Sequence, residues 1–231
     1  VGDVDDAEKP ELVYPDGVYQ WRGTDWVREA YWAPTDATEA ERTGYVAVAD
    51  LGEFGDPAGD LGSVVTSAAS VAGAPGTVRV MTPSGRIVFG PYPLPTTVAE
   101  GAAGRGGPPT IGDFDGDGRA EFAVAGGARY TVFDLDCDIA GETGAGCARV
   151  AGLPRGVLWS RPSQDRSSSV TGPSVFDFDS AGVADVVSAD ARFLRPHPGT
   201  AREVLYSRSA STAPRGALSL RAHAAVALDS D

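Results

Sequence analysis

Sulfur and imidazole are scarce in this chain. Its 231 residues include two cysteines, one methionine and two histidines, so a zinc or copper centre of the Cys/His kind has little to be built from. Lysine occurs once, at Lys9, and acidic residues outnumber lysine and arginine by 32 to 19. The formal charge of -13 argues against nucleic acid and anionic membranes as partners, because both are bound through concentrated positive charge. No apolar run approaches the about 20 residues that cross a bilayer, so no membrane insertion is expected within the segment. A signal peptide is missing too, and the chain opens at Val1 inside a motif. It reads as an excerpt or a processed product. Apolar periodicity of the helical kind is weak, and its best instance, DATEAER at 36–42, reads as a link or a short helical turn.

Glycine (30) and proline (17) are plentiful, and hydrophobic residues make up 42% of the chain. The apolar runs are short and rich in valine, which is the pattern of a β protein with many turns. Cys137 and Cys147 enclose the Gly-rich stretch DIAGETGAG. Two free thiols or a disulfide across the turn both fit. A disulfide is the expectation: it would contribute roughly 3 kcal/mol through loop closure and implies an oxidising compartment.

The sequence repeats. VGDVDDAEKPELVY at residue 1, YVAVADLGEFGDPAGDLGSVVTS at 45, PTIGDFDGDGRAEFAVAG at 109 and PSVFDFDSAGVADVVSAD at 173 share one plan. Each is a short β run, an acid-rich loop and a second β run. A fifth copy, HAAVALDSD, starts at 223. The anchor residues Asp3, Asp50, Asp113, Asp177 and Asp229 stand 47, 63, 64 and 52 residues apart, room for about four strands and variable loops. Further strands are expected at 62–67, 76–81 and 85–90, at 121–125, 128–135 and 156–160, and at 184–189, 191–196 and 203–207. Pro-rich or polar links such as 91–107 and 161–169 close the units. Four-stranded sheets at such a period predict an all-β fold, a β-propeller with about four blades visible. The chain then forms one propeller domain over 1–231, or part of a larger one.

The third loop is the most informative. In DFDGDGRAE, side-chain oxygens come from Asp113, Asp115, Asp117 and Glu121, and Arg119 is placed to offer its backbone carbonyl. Gly116 and Gly118 allow the tight turns that bring alternate side chains inward. Hard oxygen donors at this density suit calcium. A helix-loop-helix calcium hand begins in the same way, but it needs a glutamate where Val124 stands, and helices where PTIG and EFAVA read as strands. The other copies are degraded. Asp177, Asp179 and Asp185 remain in the fourth unit and Asp3, Asp5 and Glu11 in the first, all weaker metal candidates. The second unit carries Asp50, Glu53, Asp56 and Asp60 at altered spacing and reads as mostly structural.

IGDFDGDGRAEFAV, and less closely VFDFDSAGVADVVS and VGDVDDAEKPELVY, resemble the FG-GAP/VCBS repeats that build the propellers of integrin α subunits and many bacterial surface proteins. The resemblance spans most of the chain, with the connecting loops unmatched. VAGAPG at 71–76 is similar to the namesake segment of the family, although TSAAS intervenes before it. The resemblance implies calcium held in loops on one face of a propeller, and other loops that bind proteins or glycans. Asp113, Asp115, Asp117, Arg119 and Glu121 match that pattern in full. It also implies a secreted or cell-surface protein acting in adhesion or recognition of an unidentified protein or glycan, with further blades or domains in a longer chain.

Catalytic constellations are poor. His197 lies between prolines in RPHPG and reads as a loop tip, and His223 opens a strand. No nucleophile elbow, zincin motif or phosphate-cradling loop is found. Abundant carboxylates keep an enzyme on the same scaffold as the alternative, such as a calcium-dependent polysaccharide lyase or a carboxylate glycosidase. The aromatics crowded into YPDGVYQWRGTDWVREAYW (14–32) divide between core packing and a recognition surface.

Overall fold

The computed structural model describes residues 9–31, 44–56, 61–67, 76–94, 106–126, 129–135, 156–162, 173–177, 180, 182–189 and 194–197. Among these residues every regular element is a strand, and the strands form four antiparallel sheets. The first sheet contains β1 (Glu11–Tyr14), β2 (Gly17–Trp21) and β3 (Trp26–Tyr31). The second contains β4 (Gly44–Asp50), β5 (Leu61–Ser67), β6 (Thr77–Met81) and β7 (Ile87–Pro93). The third is built from β8 (Thr110–Gly112), β9 (Glu121–Ala125), β10 (Arg129–Phe133) and β11 (Val157–Pro162). The fourth has β12 (Ser174–Phe176), β13 (Asp185–Ala189) and β14 (Leu194–His197). Each sheet is a meander in which neighbours in sequence are neighbours in space.

Strand alternation explains how the sheets stack. In β9, Phe122 and Val124 join Val78, Val80 and Phe89 of the second sheet. The intervening Ala123 and Ala125 point the other way, into a cluster with Tyr130, Val132 and Leu158 of their own sheet and Val186 of the fourth. A strand buried on both faces needs apolar residues at consecutive positions, and EFAVA supplies them. Phe122 stacks on Phe133 at 5.2 Å, and both meet Phe89 edge-on at 5.7 Å. Each such buried ring contributes about 2 kcal/mol by burial alone. Val18 and Met81, flanked by Val13, Val46, Val48 and Leu61, join the first sheet to the second. The main contacts between sheets run along their leading strands, β1 to β4, β4 to β8 and β8 to β12.

Most expected strands occur within a residue or two of their bounds. The stretch 91–107 is not wholly a link, because β7 continues through Pro91, Tyr92 and Pro93. β7 is an edge strand, where a proline's missing N–H deprives no neighbour of a donor. His197 is not at a loop tip: it closes β14 and pairs with Val186. The expected elements at 36–42, 203–207 and 223–231, and the pair Cys137 and Cys147, lie outside the described residues.

Candidate metal centre

β8 and β9 are antiparallel neighbours in which Gly112 pairs with Glu121. The loop from 113 to 120 therefore leaves and re-enters the sheet at adjacent points, and its own hydrogen bonds fold it inward. The Asp113 carboxylate accepts the backbone N–H of Gly116 at 2.6 Å and of Gly118 at 3.0 Å. Asp115 accepts from the N–H of Asp117 (3.1 Å), and Asp117 from that of Arg119 (2.8 Å). Gly116 and Gly118 hold φ of 81° and 88°, left-handed values that cost a side-chain-bearing residue about 1 kcal/mol or more. The flanking elements are strands, as expected for a strand-borne loop and not for a helix-loop-helix hand.

Phe114 anchors the loop from beneath, its ring buried among Ala123, Tyr130 and Val186. Its backbone N–H donates to Glu121 Oε2 at 2.5 Å. Glu121 opens β9 and is only 2% exposed. One carboxylate oxygen each from Asp113, Asp115, Asp117 and Glu121 lie within 4.8 Å of one another. Calcium holds oxygens at 2.3–2.6 Å, so opposed ligands stand about 5 Å apart at most. The four oxygens fit inside that sphere. Hard oxygen is the only donor type in the group, which suits calcium better than zinc or copper.

Electrostatics point the same way. Burial first, and then the negative charges of Asp115, Asp134 and Asp113, together raise Glu121 from 4.5 to about 8. The Phe114 N–H opposes the rise. Without a cation, this carboxyl keeps its proton at neutral pH; a bound divalent ion would displace it and neutralise the group.

The other copies retain parts of this arrangement. In the fourth sheet the N–H of Gly182 donates to Asp177 at 2.9 Å, the same five-residue bond that Gly118 makes with Asp113. Asp185 opens β13 and is buried, as Glu121 is at the start of β9. Glu11 is likewise buried at the start of β1. Asp3, Asp5 and Asp179 lie outside the described residues. The second unit is held differently. Leu51 is buried where the third unit has Phe114, and Asp56 accepts hydrogen bonds from the hydroxyls of Thr82 and Ser84 in the turn between β6 and β7. That clamp was not foreseen. Its only trace in the sequence is a Thr and a Ser flanking the proline of MTPSG.

Among the described aromatics of the first sheet, Tyr14, Trp21 and Trp26 are exposed and Tyr19 is half-buried, so the expected core share is not seen among them. The rings of Trp21 and Trp26 lie 5.6 Å apart. No protein-family model and no curated protein matches this chain.

Proposed function

We propose that the chain is a calcium-stabilised repeat module of the FG-GAP/VCBS kind. In this reading the four sheets are successive blades of a β-propeller, and the module acts in adhesion or recognition on a secreted or cell-surface protein. The observation that carries the calcium reading is the convergence of Asp113, Asp115, Asp117 and the buried Glu121 within 4.8 Å. Ionising a buried carboxyl surrounded by three carboxylates is costly unless a cation joins them. The backbone carbonyl of Arg119 would complete the donor set. The propeller reading is supported by four meander sheets that meet leading strand to leading strand in chain order. The recognition role rests on the repeat resemblance, with an unidentified protein or glycan as ligand.

Bound calcium would fasten the loop between β8 and β9 and leave the polypeptide to do the recognising. The test is calorimetric titration with calcium, paired with thermal unfolding in millimolar calcium and in chelator. The folded state should gain stability as RT ln(1 + [Ca]/Kd), about 2.7 kcal/mol at a hundredfold excess over Kd. Asp115→Ala should lose most of that gain. An unchanged midpoint and no binding heat would make the loop a solvated acidic turn.

A further inference from the structure

Asp134, the residue after β10, lies beside the candidate centre without being one of its four converging acids. Tyr130 and Val132 of β10 share a cluster with Ala123 and Ala125 of β9, and strand alternation puts Asp134 and Glu121 next on that face. The β9–β10 register runs to the pair Phe133 and Phe122, so Asp134 and Glu121 stand opposite one another one step further on. The Asp134 N–H donates to the carbonyl of Gly156 at 2.8 Å, which keeps its backbone in line with the sheet. Both side chains are buried, and the negative charge of Asp134 is felt at Glu121. Like charges directly opposite one another destabilise a sheet.

The first two sheets fill the same position with neutral groups. In the first, Glu11 pairs with Gln20, and both are buried. In the second, Ala49 pairs with Gly62 as Gly112 pairs with Glu121 in the third. Met81 pairs with Ser63, so the residue opposite Gly62 is Thr82. Its buried hydroxyl donates to Asp56 of the acidic loop. An amide or a hydroxyl can donate to a carboxylate, whereas an ionised carboxylate only accepts. The second loop is thus held by a donor from this position, and the third has an acid there instead.

We infer that Asp134 is a specificity-determining residue of the candidate metal centre, a carboxylate behind Glu121 that adds its charge to those of the four converging acids and so favours cations of higher charge. This role rests on the calcium reading above. The attraction between a fixed charge and an ion scales with the charge of the ion. A trivalent lanthanide therefore gains about half as much again from Asp134 as calcium does. Groups that stand behind metal ligands typically account for about 10–100-fold in affinity.

Calorimetric titration of the full chain with calcium and with terbium tests this, on wild type, Asp134→Asn and Asp25→Asn. Asp25 is an exposed acid between β2 and β3, bonded to the Thr24 hydroxyl, and controls for the change in net charge. Asp134→Asn should lose about tenfold in calcium affinity and about thirtyfold in terbium affinity. Asp25→Asn should match wild type with both metals. Circular dichroism checks folding, and Asp134→Thr, which copies the second sheet, replaces Asp134→Asn if that variant does not fold. Equal losses for the two metals would make Asp134 a structural support and overturn the role, as would unchanged affinities beside a wild type that binds. A wild type that binds neither metal overturns the calcium reading itself, and the role with it.

Discussion

The backbone N–H of Ala184 donates to the backbone carbonyl of Asp113 at 2.7 Å, joining the acidic loop of the third sheet to the start of β13 in the fourth. The approach is close on both sides. A Cβ on Gly112 would meet Val175 and Ala184 at 3.0 and 3.1 Å, and one on Gly116 would meet Val183 at 3.1 Å. The loop thus belongs to two sheets, and whatever orders it orders the junction. Calcium should slow amide exchange in 184–189 as well as in 113–121, and Asp115→Asn should remove both effects. Protection confined to the loop would mean that the junction is stable without the ion.

Glu121 sets a pH dependence whose sign is fixed by its raised pKa. Below about 4.5 the carboxyl is protonated in folded and unfolded chains alike. Between there and about 8 the folded protein keeps a proton that the unfolded chain gives up, so stability falls as pH rises, and the loss levels off above about 8. In chelator, wild type should therefore lose stability relative to Glu121→Gln as pH is raised through this window. Calcium binding needs the carboxylate, so its affinity should rise with pH up to about 8. Titrations in two buffers of different ionisation heat should reveal a proton released on binding below that point.

The second unit keeps its loop in place with hydroxyls. Removing the carboxylate in Asp56→Ala strips the acceptor from Thr82 and Ser84, and Thr82 is fully buried. A buried donor left unsatisfied costs about 1–3 kcal/mol. Thermal unfolding should show a loss of that size, equal in calcium and in chelator. A loss that appeared only in calcium would make Asp56 part of a metal site.

Gly90 lies within β7 at φ 77°, and a side chain there would run into the carbonyl oxygen of Val78 in β6. Backbone cannot yield as a flexible side chain can, so Gly90→Ala should destabilise by about 2 kcal/mol or more. Gly23 provides the control. Its φ is 90° with nothing within 4 Å, so Gly23→Ala should cost only the backbone strain, about 1 kcal/mol. Equal losses at the two positions would show that the close approach of β6 and β7 does not matter.

Much of the fold was legible from spacing. EFAVA, TVRVM and SVVTS announce strands because β-branched and apolar residues crowd short runs between turns, and all three were found in strands. The candidate centre was legible because its donors fall within nine residues of one loop, so local geometry decides it. The first sheet was less so. Its strands are marked mainly by aromatics, which serve equally in cores and on surfaces, and the fate of Tyr14, Trp21 and Trp26 depends on what lies opposite.

Strand character, the repeated acidic motif and the clustering of Asp113, Asp115, Asp117 and Glu121 are written in short stretches of chain, since each follows from period-2 alternation or short-range turn chemistry. Sheet packing, by contrast, brings Asp56 to Thr82 and Ser84, ties Ala184 to Asp113, and gives Phe122 and Ala123 different neighbours. Those contacts join segments 26 to 71 residues apart or whole sheets. They arise from how the sheets stack, which no local stretch of sequence encodes.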